Sequence, residues 1–307
     1  AIEHRFKDYH ELLQHQDVDA VGILTPTMSH AEIGLAALAA EKHVLIEKPL
    51  ALNLKQCDQL IAKATNSSCK VVVGFNNRWH RLIRRARNFI ESDALGSIKA
   101  VKSTYTHYRT GIDAPDWHRK VKLGGGVSFN EAIHHFDLWR YLLKCEVEEI
   151  SSFNNPSTYY EDETHITAAR LSNGTLATGI FTLQTSPVSE LEIFGEKGRM
   201  RVSLYCFDGF EFFSYNTYPG NIMNRLKKSV RSVGHLYQAV PIMRKGGDFG
   251  ATFCNMWQHF VDCILLNYSS ECTLEDGRQA IEIALATYES IFSGQSVRIK
   301  PKIKIHQ

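Results

Sequence analysis

Over the first 95 residues, short unbroken apolar runs alternate with stretches of helical periodicity. Residues 19–24, 43–46 and 69–73 each read as a strand with no polar face, and residues 30–40, 53–65 and 80–92 read as helices. Continuous Val/Ile/Leu strands separated by helices of this length predict parallel βαβ units covered on both sides. The turn Thr25-Pro26 closes the first strand and Glu47-Lys48-Pro49 the second. Ser29 and Glu32 stand at capping-box spacing, which would set the start of the first of these helices.

Beyond Gly96 the pattern changes to period two. Residues 98–107 alternate, and 146–155, 163–172, 175–184, 190–194, 199–205 and 209–214 are strand-like, with a hairpin signal at Asn173-Gly174 and a turn at 195–198. Helical patterns at 128–143, 252–267 and 276–292 are enough to cover one face of such a sheet. The fold class expected is therefore α/β followed by α+β. An incomplete Rossmann-type parallel domain over residues 1–95 precedes a mostly antiparallel open-faced sheet domain, helices on one face, over 96–307. Residues 216–250 read as loop with a basic stretch at 225–231, and Lys300, Lys302 and Lys304 read as a charge-protected edge strand.

Composition narrows the function classes. The chain has 307 residues, 44% hydrophobic and 22% charged, which excludes disordered and fibrous architectures. Thirty-five basic against 33 acidic residues give a net charge of +2, too balanced to predict nucleic acid or an anionic membrane as partner. No apolar run approaches the ~20 residues that cross a bilayer. Seven cysteines without a CxxC pair predict reduced thiols and a cytoplasmic protein.

Two segments carry candidate chemistry. Thr25 and Glu47-Lys48 fall at the carboxyl ends of parallel strands, where open α/β sheets bind ligands. Lys48 is fixed between a buried strand and a proline; the alternative is an ordinary exposed lysine on a strand-ending turn. The second segment runs from Gly124-Gly125-Gly126 to Tyr141. Ser128 and Glu131 have capping-box spacing, predicting a helix from about residue 129. On that helix Asn130, His134, Asp137 and Tyr141 would share one face, beside an apolar stripe of Phe129, Ile133 and Phe136. This face is either a pocket wall or the solvated side of an amphipathic helix. His134, His135 and Asp137 lack a third ligand at metal spacing, so no metal is expected. Of the basic run Arg78, Arg81, Arg84, Arg85 and Arg87, most read as a solvated helix face, and Arg78 is the candidate for a substrate phosphate or carboxylate. The aromatics at 205, 207, 210, 212 and 213 read as packing on the sheet, whose uncovered part would be a subunit interface.

In order along the chain, TPxxxH at 25–30, EKP at 47–49, GFN at 74–76, GGG…H..D at 124–137 and EIFGEKGRMRV at 192–202 resemble the Gfo/Idh/MocA family of glucose–fructose oxidoreductase, inositol dehydrogenase and rhizopine-catabolism proteins. The resemblance implies an enzyme: an NAD- or NADP-dependent dehydrogenase transferring hydride between nicotinamide and a carbinol of a sugar, cyclitol or nucleotide-sugar. By position, Lys48 would bond the reacting hydroxyl, on a Lys-Pro peptide that is often cis in the family, and His134 would be the acid/base. Asn130 would orient substrate or histidine. Thr25, Pro26, His30, Glu47, Lys48 and Asn76 would lie along the cofactor, and Arg78, Trp117, Asn130 and Asp137 near the substrate. Asn130 stands where many relatives carry aspartate, so His134 is expected to be less basic than in an Asp-type site. The family's opening GxGxxG turn does not occur in this sequence, which begins with Ala1 in what reads as mid-domain; we expect an N-terminally truncated chain that binds dinucleotide poorly. The partners implied are a small polyol or sugar and a second copy of the chain through the second-domain sheet. Alternative functions within the family are NAD-dependent glycoside hydrolysis and non-catalytic cofactor sensing.

Overall fold

The computed structural model describes residues 4–112, 114–155, 157–216 and 247–299, together with Tyr218, Ile222 and Leu226. The basic stretch at 225–231 (Leu226 apart) and the lysines at 300, 302 and 304 lie outside the described residues.

A short helix α1 (Tyr9–Gln14), capped by the Asp8 carboxylate, precedes a parallel three-stranded sheet. Its strands are β1 (Ala20–Ile23), β2 (His43–Ile46) and β3 (Val71–Val73), in the order β1-β2-β3. Helices α2 (His30–Ala39) and α3 (Leu54–Thr65) make the crossovers, and α4 (Arg81–Glu91) follows β3. The apolar runs were legible because strands buried on both faces need no polar residue: Val44, Leu45, Ile46, Val72 and Val73 are fully buried. The start of α2 matches its expected place, but not by the expected cap. The Ser29 hydroxyl turns back to Thr25 Oγ1 (2.7 Å) and the Pro26 carbonyl (2.9 Å), while Glu32 accepts from Tyr9.

The second sheet has eight strands: β4 (Ile98–Tyr108), β5 (Val147–Asn155), β6 (Thr164–Leu171), β7 (Leu176–Thr182), β8 (Gln184–Gly195), β9 (Gly198–Ser203), β10 (Phe210–Ser214) and β11 (Val297–Arg298). Their order is β10-β9-β8-β4-β7-β6-β5-β11, with β4–β7 parallel and every other pair antiparallel. One face packs on α6 (Ile133–Leu143) and α8 (Leu274–Ser293), where Trp139 donates to Ser103 at 2.8 Å. The opposite face exposes Phe153, Ile166 and Ile180, which stand directly opposite one another across β5, β6 and β7.

Two of the C-terminal helices do more than cover that sheet. In α7 (Gly247–Leu265), Trp257 lies against Gly22 of β1, so close that a Cβ there would meet its ring at 2.4 Å. Helix α8 carries a Thr273/Asp276 capping box and packs on α6 and β5, but also on α3 and β3. Gly277 faces Leu50 and Val73, Arg278 pairs with Asp58 at 2.6 Å, and the Cys272 carbonyl accepts from the Val73 amide. The last third of the chain thus returns to complete the core of the first sheet.

Candidate active site

All three parallel strands end at one edge. Thr25 and Pro26 after β1 are exposed, and Glu47 and Lys48 after β2 are half-buried. The Lys48-Pro49 peptide is cis. Burial raises the Glu47 carboxyl above its ordinary range, against the opposing pull of Lys48, whose amide donates to it. Gly74 is required here by close approach, since a Cβ would meet the Glu47 main chain and carboxylate at 2.9 Å. His30 lies beneath this edge. It is buried at the start of α2, with Nδ1 2.8 Å from the Pro49 carbonyl and Nε2 2.7 Å from the Thr25 carbonyl, so it ties the ends of β1 and β2 together. Asn76, after β3, is buried and donates to Thr252 of α7 at 3.0 Å.

The glycine-rich segment packs on the short helix α5 (Asp116–Arg119), whose Trp117 is half-buried and lies beside His118. A Cβ on Gly125 would meet the carbonyls of Trp117 and His118 at 2.6 Å, so the chain passes where only glycine fits. The helix expected from residue 129 begins instead as a π turn, Ser128–Ala132, and becomes α-helical at Ile133. No Ser128/Glu131 capping box forms. The Ser128 amide is capped by the buried Asp162 carboxylate (2.8 Å), which, against its burial, His165 and Ser128 hold below the usual carboxylate range. A π turn frees Glu131 from the cap and re-aims its neighbours.

Lys48 reaches across from the first sheet to this turn, and its ammonium donates to the Asn130 main-chain carbonyl. The Asn130 amide points away, toward the His118 carbonyl at 3.4 Å. His134, one turn on, stacks edge-on against Phe75. Burial above all, then the Lys48 charge and His135, hold its imidazole well below the ordinary histidine range, so it is neutral. Its Nδ1 has no hydrogen-bond partner among the described residues.

His134 opens onto a cavity of about 610 Å³ whose walls include Tyr105, His107, Arg109, Glu131, Ser189 and Tyr205. Arg78 and Asp137 are not part of those walls. They face each other in the interior (Nε–Oδ2 2.8 Å, Nη2–Oδ1 2.5 Å), with Arg78 also on Asp276 and the Glu271 carbonyl and stacked on Tyr141. Burial raises the Asp137 carboxyl, and Arg78 opposes it. The shared face expected of residues 130, 134, 137 and 141 therefore splits between cavity and core. The other arginines of the run are engaged too: Arg81 with Asp248, Arg84 with Glu271 and Arg87 with Glu91, while Arg85 lies over Phe210.

Glu131, Arg109, Tyr105 and Tyr205 were not singled out from the sequence as site residues. Tyr105 lies on the buried side of the alternating segment 98–107, and Glu131 carried only a capping-box signal.

Known proteins match the chain in both parts. The family model described as "Oxidoreductase family, NAD-binding Rossmann fold" matches residues 1–75, and "GFO/IDH/MocA C-terminal domain" matches residues 83–201. Myo-inositol 2-dehydrogenase of Thermotoga maritima is 26% identical over 99% of this chain and 86% of its own length. The scyllo-inositol 2-dehydrogenase (NAD(+)) of Bacillus subtilis is 24% identical over 98% and 84%. Among solved structures, an oxidoreductase domain protein from Kribbella flavida superposes with a TM-score of 0.78 at 25% identity, covering 96% of this chain and 84% of that one.

Proposed function

The chain belongs to the Gfo/Idh/MocA oxidoreductase family, and from that membership we propose that Lys48 and His134 carry the proton chemistry of carbinol oxidation. The protein is an NAD(P)-binding oxidoreductase acting on carbinol groups of sugars, cyclitols or nucleotide-sugars. The residues at the carboxyl edge of the parallel strands fit a dinucleotide: Thr25 and Pro26 are open, and Gly74 leaves room for Glu47 against β3. A nicotinamide bound along that edge supplies the two-electron acceptor to which the carbinol C–H leaves as hydride. Lys48 donates to the hydroxyl oxygen and holds it. His134, neutral because it is buried beside Lys48 and His135, takes the hydroxyl proton. Asn130 positions Lys48 through its carbonyl, and the Trp117 main chain packs on Gly125 of the segment that leads into that turn.

The observation that supports this most is the Lys48–Asn130 bond, which joins a turn of the first sheet to the π turn that leads into the helix bearing His134. Inositols, named for relatives in T. maritima and B. subtilis, are the substrates to try first. In a chain that carries the family's GxGxxG turn, Lys48→Met and His134→Ala should each lower kcat/KM for inositol oxidation by ~10²–10⁴ while NADH binding, followed by fluorescence, is kept. Activity within a few-fold of wild type in both would remove the assignment.

The row Phe153, Ile166, Ile180 supports a homo-oligomer through the open face, because a two-fold axis across it would lay this row on its own copy. The flanking ladder Lys102–Glu192–Arg201–Glu211 alternates in sign and is self-complementary in the same way. All seven cysteines are free, which supports a reducing, cytosolic compartment.

A further inference from the structure

We propose that Glu131 is the specificity-determining residue of the cavity and that, paired with Arg109, it selects uncharged hydroxyl-bearing rings over carboxylated ones; this rests on the carbinol-oxidation reading above. Glu131 sits in the π turn between Asn130, whose carbonyl holds Lys48, and His134. Its carboxylate is 3.2 Å from Arg109, and its side chain is only 11% exposed. It also lies against the Tyr105 hydroxyl, which burial and this carboxylate keep protonated. Among the described residues lining the cavity, Arg109 is the one Lys or Arg and Glu131 the one Asp or Glu. Three of the four lining histidines, 80, 134 and 135, are held below the ordinary range, chiefly by burial, and are neutral.

The chemistry of such a wall is selective. Adjacent hydroxyls of a neutral ring can donate to Glu131 and accept from Arg109, so both charges keep a partner on binding. A ring carboxylate in the same place meets Glu131 at short range in a half-enclosed space, where repulsion is weakly screened. It can reach Arg109 only by sharing that guanidinium with Glu131, so one cation then serves two carboxylates in place of one.

D-glucose and D-glucuronate differ in this one respect at C6, and their equilibrium binding in the presence of NADH can be compared by saturation-transfer NMR titration. Wild type should bind glucose at least about tenfold more tightly than glucuronate. Glu131→Gln should close or invert that ratio, and Arg109→Met should widen it, with thermal midpoints recorded for both. Should Glu131→Gln fail to fold, the wild-type ratio and Arg109→Met still decide. Equal or tighter glucuronate binding by wild type, a ratio unmoved in the folded variants, or saturation by neither sugar overturns the proposal. Affinity is read without turnover, so a wild type that prefers glucose yet reduces NAD⁺ with no polyol would instead count against carbinol oxidation.

Discussion

Lys48 is tied to the main chain of Asn130, and the Asn130 side chain turns to His118. Residue 130 can therefore be changed without releasing the lysine. Asn130→Asp should keep Lys48 in place while adding a carboxylate within one helical turn of His134. A nearby negative charge favours the imidazolium, so the acid limb of the kcat/KM–pH profile should move to higher pH. An unmoved limb would mean that residue 130 and His134 do not sense each other.

The pairing of Arg78 with Asp137 predicts a loss of stability rather than of substrate affinity. Arg78→Met leaves a buried carboxylate without its partner and should cost about 3–5 kcal/mol in urea unfolding. KM for the polyol should stay near wild type in the folded fraction. A raised KM with unchanged stability would return Arg78 to the substrate.

His135 is fully buried between Tyr105 and Phe181, and neither ring nitrogen has a partner among the described residues. Burial alone lowers its pKa to about 3. Below pH ~6.5 the unfolded chain takes up a proton that the folded chain refuses, so stability is full above that value and falls as pH drops toward 3. His135→Phe removes this term. The variant should gain stability relative to wild type at pH 5 compared with pH 8, measured by urea midpoints, and an equal difference at both pH values would refute the linkage.

Charging the open sheet face should dissociate the oligomer. Ile166→Lys with Ile180→Lys would place two like charges in the row proposed to meet its copy, and sedimentation velocity should show a smaller species with unchanged circular dichroism. A wild-type protein that sediments as a monomer at micromolar concentration would dispose of the interface.

The sheets were legible because their signals are local: unbroken Val/Leu/Ile runs at 44–46 and 71–73, and strand-like stretches punctuated by turns such as Asn173-Gly174. The turns Thr25-Pro26 and Glu47-Lys48-Pro49 stand at strand ends as expected. Spacing along one helix says nothing of a partner elsewhere, which is why Asp137 read as a pocket residue when Arg78, 59 positions away, claims it. The bonds of His30 were illegible for the same reason; its two carbonyl partners lie 5 and 19 residues away in turns that meet only in the folded chain. The π turn at Ser128–Ala132 was illegible because the same residues satisfy an α pattern, and only the Asp162 cap from a later loop decides between them. Packing across the two sheets was likewise invisible, since the amphipathic pattern of 252–267 does not say which apolar surface it meets.

Helix α8 wedges its Gly277 against Leu50 and Val73 while its other side lies on α6 and β5. A cut at residue 95 would therefore not yield two self-sufficient pieces: the front piece would lack the lid of its own hydrophobic interior, and the back piece would carry an orphaned greasy flank. Anyone grafting a different nucleotide-binding front onto this substrate half would have to bring residues 274–293 along with the front or recut both surfaces to match.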